Sequence, residues 1–152
     1  MHTDFELTKT DPDRSGQINR FGFVEVHRLF IAAGHNFFGR HDQPPGENPI
    51  VEVTQVDCVA GRGLLSDRFF DFKENYKGQI SFFAKETYEA IRRELAVRDI
   101  PLSAFRRNLI TIGVDLNALI GQEFQIQGIR FRGTEECPPC YRMDRAVAPG
   151  AA

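Results

Sequence analysis

Apolar residues in this chain come in short runs broken by glycine or proline, and that spacing constrains the fold more than any other feature. Runs of β-branched or aromatic residues bounded by turn signals read as strands, and a succession of them reads as a mostly-β domain. Ile50 to Val59 carries Val51, Val53, Val56 and Val59 and is closed by Gly61-Arg62-Gly63. Phe21 to Ile31, with Val24, Val26 and Leu29, reads as another strand, Leu109 to Ile112 as a third and Phe69 to Phe72 as a short one. Phe124 to Thr134 shifts its apolar phase from Phe124 and Ile126 to Ile129 and Phe131 across Gly128, which marks a strand pair or one strand bent by a bulge.

One segment has helical period. Ala84, Tyr88, Ile91 and Leu95 share a face over Phe83 to Arg98, with Ser81 placed to cap the start and Pro101 to end it. Glu89 stands three and four residues before Arg92 and Arg93, the spacing that supports a helix by ion pairing. Residues 40–49 carry Pro44-Pro45-Gly46 and Pro49 and read as a loop, and Gly113 to Gly121 as a turn-rich connection with one helical turn at Leu116 to Ile120. Short strands, one helix and glycines at the bends predict a mostly-β, barrel-like fold with minor α content. The expected organisation is a flexible or edge segment over 1–20, a domain over 21–145 and a short tail over 146–152.

With 152 residues the chain suits one domain, and fourteen Phe with no Trp suggest a core built on phenylalanine. A net charge of −2 supplies no global basic field for nucleic acid, although Arg92-Arg93 and Arg106-Arg107 are local clusters able to hold a phosphate. No stretch approaches the ~20 apolar residues of a membrane helix. Met1 to Gly16 is polar, without the apolar segment of a secretion signal, and three cysteines are an odd count for a disulfide framework. The expected setting is therefore the reducing cytoplasm, where thiols stay free.

Chemistry concentrates in four places. Cys137-Pro138-Pro139-Cys140 holds two thiols across a stiff spacer, because proline fixes φ and removes a donor. It suits a metal thiolate, a persulfide carrier, a dithiol redox pair or two half-buried core thiols. Structural zinc needs two further ligands, and Cys58 with His2, His27, His35 and His41 forms no second pair at the usual spacing. A thioredoxin-like pair should open a helix in a βαβ unit, which Pro-rich turns do not offer. Arg106-Arg107-Asn108 sets a guanidinium fork for phosphate beside an amide for a heterocycle edge, or is a solvated charge pair. Gly61 to Arg68 can present backbone N–H groups and a guanidinium to an anion, or is an ordinary turn with a salt-bridged Asp67. It lacks the Gly-Lys-Ser/Thr end of a P-loop. In Gly34-His35-Asn36-Phe37-Phe38-Gly39, His35 and Asn36 line a pocket, or the phenylalanines anchor a loop to the core.

Taken together, these residues resemble the MOSC domain, the module found at the C-terminus of molybdenum cofactor sulfurases, alone in bacteria and within amidoxime-reducing molybdenum enzymes. The resemblance spans roughly Val24 to Arg145. It is carried by Phe105 to Ile110, Gly113 to Leu116, Leu119 to Phe124 and Cys137 to Cys140, with Gly63 to Arg68 similar to the family's Gly-Leu/Ile-x-Gly-Asp-Arg element. Ser66 stands there in place of the usual glycine. Gly34 to Gly39 is similar to a small stand-alone bacterial branch. The resemblance implies a β-barrel with a few helices and molybdenum cofactor (molybdopterin) as ligand. It implies Cys140 as catalytic residue and metal ligand or persulfide site, and Arg68, Arg106 and Asn108, joined by the pocket-lining Asn36, as cofactor-binding residues. The implied role is sulfur or cofactor transfer, or the core of a small molybdenum reductase of N-hydroxylated compounds. Sulfurase or reductase proteins are the implied partners, with no nucleic acid and no membrane. Family domains continue well past the matching cysteine, whereas only Tyr141 to Ala152 follow it here. That difference predicts missing closing elements and an open sheet edge able to pair in a homodimer. In the alternative, the chain is a non-enzymatic binding or assembly module with a vestigial pocket.

Overall fold

A computed structural model describes residues 4–8, 24–37, 39–40 and 42–137. Nine strands, one α-helix and two 3-10 turns are formed among them, so the fold is mostly β with one helix, as the spacing of apolar runs predicts. The strands are β1 (Asp4–Thr8), β2 (Glu25–Ile31), β3 (Val51–Val53), β4 (Gln55–Val59), β5 (Gly63–Leu64), β6 (Phe82–Ala84), β7 (Leu109–Ile112), β8 (Glu123–Ile126) and β9 (Ile129–Arg132). They make three sheets, ordered β1-β4-β5, β3-β2-β7-β6 and β8-β9. All pairings are antiparallel except β6 with β7. Those two run parallel because α1 (Lys85–Glu94) and the 3-10 turn Leu102–Phe105 carry the chain back between them.

Three segments differ from expectation, each for a local reason, and a fourth settles between two expected alternatives. The Ile50 to Val59 run divides at the exposed Thr54, so that β3 pairs with β2 and β4 with β1 and β5. Phe69 to Phe72 is a series of turns, with Phe70 N–H donating to Asp67 O at 2.9 Å and Phe72 N–H to Phe69 O at 3.4 Å. The helix ends at Glu94 instead of Arg98. Ala96 takes φ 52°, its N–H donates to Arg93 O, and Val97 N–H donates to Arg92 O, a Schellman closure without its usual glycine. Its start is Ala84, which makes no side-chain cap, while Ser81 is occupied elsewhere. Phe124 to Thr134 is a hairpin, which decides for the strand pair among the two expected alternatives. Gln127 at φ 51° and Gly128 at φ 82° make a type I′ turn, and reversal of the chain, not a bulge, shifts the apolar phase.

The core gathers Val24, Val26, Leu29, Val56, Cys58, Leu64, Leu109, Leu119, Phe124, Ile126 and Ile129. Among the described residues it is chiefly aliphatic, with Phe124 its one phenylalanine, where the composition suggested a core built on phenylalanine. Phe82 and Phe131 pack at its edge around Phe124, with ring centres 5.6–5.8 Å apart. Phe83 stacks on Phe105 at 4.7 Å, and Tyr88 meets Phe105 edge-on, which docks the helix onto the second sheet.

Candidate functional site

The site begins in the turn after β5. Asp67 N–H donates to Leu64 O at 3.1 Å, and Ser66 sits at the third position of that turn with φ 66°. A turn with positive φ there favours glycine, which accounts physically for the glycine of the resembling element. The turn drives the Asp67 side chain inward to full burial. Its Oδ1 accepts from Ala32 N–H at 3.0 Å, from the Asn108 amide at 3.0 Å and from Arg68 Nη1 at 3.3 Å, while Oδ2 accepts from Phe69 N–H at 3.1 Å.

Asn108, at the entry to β7, is 1% exposed. Its Nδ2 donates to Phe30 O at 3.1 Å as well as to Asp67, and its Oδ1 accepts from Ser81 N–H at 3.1 Å and Ser81 Oγ at 3.0 Å. Ser81, read from the sequence as a helix cap, thus closes onto β7. Asn108 ties three elements together, and its amide bonds are made within the protein.

Arg68 is 7% exposed in its side chain, and its Nη2 donates to the Arg106 carbonyl at 2.8 Å. Burial depresses its pKa, the Asp67 charge opposes that, and Arg107 adds to the depression. Arg106 ends the 3-10 turn in the left-handed region, φ 52°, with its N–H donating to Ser103 O at 3.0 Å. Its guanidinium lies 5.7 Å over the Phe37 ring, with Nη1 reaching Asn48 O at a long 3.5 Å. Its Nη2 is buried with no partner among the described residues. Burial first, then the Arg68 charge, push its pKa down to about 10.

The segment from Gly34 supplies the wall against Arg106. Asn36 Nδ2 donates to Asn48 O and Asn36 Oδ1 accepts from Asn48 N–H, both at 2.8 Å, and Asn48 Nδ2 donates to His35 O at 3.3 Å. A Cβ on Gly34 would stand 2.6 Å from Asn48 Oδ1, so the Asn48 side chain keeps its present place against this segment because residue 34 is glycine. The His35 ring packs edge-on to Phe69 at 4.7 Å, and burial, then the Arg68 charge, lower its pKa.

The structure therefore brings Arg68, Arg106, Asn108 and Asn36 into one connected neighbourhood. Asp67 is salt-bridged in its turn, as one of the sequence readings has it, but its bonds to the Ala32 and Phe69 N–H groups were not legible, nor was Asn48, which carries no signal except that it precedes Pro49. Cys140 and the tail after it lie outside the described residues. Cys137 is exposed and borders a broad cleft of about 1850 Å³ that Arg68, Phe105 and Arg107 also line. Among the described residues no group of three His, Cys, Asp or Glu is placed to hold a metal, and no helix is long and apolar enough to cross a membrane.

Arg68 pairs with the buried Asp67 carboxylate, Arg106 feels the same charge, and Arg107 acts on Arg68. The neighbourhood thus holds more guanidinium than carboxylate charge, and Arg106 Nη2 is buried in it without a partner among the described residues. The MOSC domain model matches residues 64–151, more than half of the chain, and the chain belongs to the MOSC domain family. Comparison with curated proteins and with solved structures returns no match.

Proposed function

We propose that this chain binds molybdenum cofactor, with Arg106 receiving the anionic phosphate end and the Cys140 thiolate serving as sulfur donor to the metal or as persulfide carrier. The observation that carries this reading is Arg106 Nη2, a buried guanidinium donor without a partner among the described residues, beside a second guanidinium. Leaving a buried charged donor unpaired is costly, and an anionic oxygen would satisfy it while offsetting the repulsion between Arg68 and Arg106. The residues fit a phosphate-bearing ligand in that sense. The broad cleft lined by Arg68, Phe105, Arg107 and Cys137 exceeds the usual few hundred to about a thousand cubic ångströms of a ligand pocket, although Arg106 is not among the residues that line it.

When bound, the cofactor would supply the redox and sulfur chemistry of its metal. The chain's part is to hold the anion, exclude water with the Phe37 and Phe69 rings, and present a thiolate, a soft donor suited to such a metal. The test is elemental analysis for molybdenum, with fluorescence of the oxidised pterin, on protein purified from a cofactor-producing host. Near-stoichiometric signals that fall in Arg106→Gln, with metal lost in Cys140→Ala, are expected. A folded protein with neither signal refutes the reading and favours the assembly alternative.

A further inference from the structure

We infer that Arg68 is a positioning residue for the anion site and not an anion contact: together with Asp67 and Asn108 it holds the Arg106 backbone in the conformation that aims the Arg106 guanidinium. The inference rests on the reading of Arg106 as the anion-receiving residue.

Four hydrogen-bonded groups make a closed circuit. Asn108 Nδ2 donates to Asp67 Oδ1, Arg68 Nη1 donates to the same oxygen, and Arg68 Nη2 donates to Arg106 O. Arg106 and Asn108 are two residues apart in the chain, so the circuit closes through the backbone. Asp67 is a rigid anchor, since Ala32 N–H and Phe69 N–H hold both its oxygens. Asn108 is equally fixed by Ser81 and Phe30 O.

The circuit acts at Arg106. A left-handed φ is unfavourable for a residue with a Cβ, and such strain persists only where the surroundings impose it. At Arg106 both flanking peptide groups are tied: the N–H to Ser103 O and the carbonyl to Arg68. Releasing the carbonyl frees the residue to relax to negative φ, which swings its side chain off Phe37 and Asn48. Arg68 can do this because a guanidinium is a planar fork able to span a carboxylate and a carbonyl together. A lysine ammonium carries the same charge at a single point and cannot. Arg68 borders the cleft, yet both its Nη atoms face protein oxygens.

The experiment is titration of the full chain with inorganic phosphate by calorimetry, alongside NMR of the arginine Nε–Hε signals. Arg68→Lys and Arg68→Gln should weaken phosphate binding alike, by about tenfold or more, as expected when one charge-assisted contact is misplaced. In an Arg106→Lys background neither should weaken it further, because the effect passes through Arg106. Without phosphate, Arg68→Lys should already shift the Arg106 Nε–Hε signal. Binding retained by Arg68→Lys but lost by Arg68→Gln, or additive losses, would make Arg68 a direct contact and overturn the inference. An unchanged Arg106 signal in Arg68→Lys would do the same. If Arg106→Gln binds phosphate as tightly as the unaltered chain, the reading of Arg106 itself fails. If Arg106→Gln loses binding while Arg68→Lys keeps it, only the positioning role fails.

Discussion

Replacing Asn108 with alanine removes four side-chain hydrogen bonds at once, to Ser81 N–H, Ser81 Oγ, Phe30 O and Asp67 Oδ1. The losses are unequal. Asp67 Oδ1 keeps Ala32 N–H and Arg68, and Ser81 Oγ still accepts from Asn108 N–H at 3.1 Å. Ser81 N–H and Phe30 O lose the partners that Asn108 provides. An abandoned buried group costs about 1–3 kcal/mol; Phe30 O is such a group, whereas Ser81 N–H is part-buried and costs less, so the expected loss is roughly 2–4 kcal/mol. Against a total stability of about 5–15 kcal/mol for a domain, that is enough to leave the variant marginal. Urea unfolding followed by circular dichroism measures it as a fall in midpoint at constant slope. A loss below about 1 kcal/mol would refute the view that Asn108 joins β2, the Asp67 turn and the start of β6.

Three further outcomes follow from local geometry. Ser66→Gly should stabilise the fold by about 0.5–1 kcal/mol, because φ 66° is free for glycine and strained for serine; a destabilised variant in the same urea assay would contradict the turn assignment. Gly133→Ala should destabilise by about 3 kcal/mol or more, since its Cβ would fall 2.0 Å from the backbone oxygen of Leu119, and a thermal midpoint within a degree of the unaltered chain would argue against that close approach. Burial pushes the Cys58 thiol up to about 11, so at pH 8 its thiolate fraction is minute, whereas Cys137 is exposed. Iodoacetamide with peptide mass spectrometry should label Cys137 in the native protein and reach Cys58 only on unfolding or as the pH nears 11; equal native rates at pH 8 would show Cys58 to be accessible.

Strand content was legible because β-branched runs between glycines have few other uses. Their boundaries were less so. The division at Thr54 depends on which sheet each half joins, and the end of α1 at Ala96 has no glycine to announce it. The candidate site was legible as residue types: guanidiniums at 68 and 106, an amide at 108, a polar pair at 35 and 36. Their division of labour was not. Asn108 reads in sequence as a group for a heterocycle edge, yet in the fold its amide is engaged by Ser81, Phe30 and Asp67. Asn36 likewise reads as a pocket-lining residue, and its amide binds the Asn48 backbone.

The sequence by itself determined the local chemistry: short strands from apolar spacing, turns from glycine and proline, a thiol pair on a stiff spacer, and a local surplus of arginine. These depend on neighbours a few residues away. Only the tertiary structure decided which arginine is spent and which is spare. That outcome turns on contacts 38 and 41 residues apart, between Arg68 and Arg106 and between Asp67 and Asn108. Whether a buried charge is satisfied depends on what the fold places within about 3 Å of it, and short-range sequence pattern holds no record of that distance.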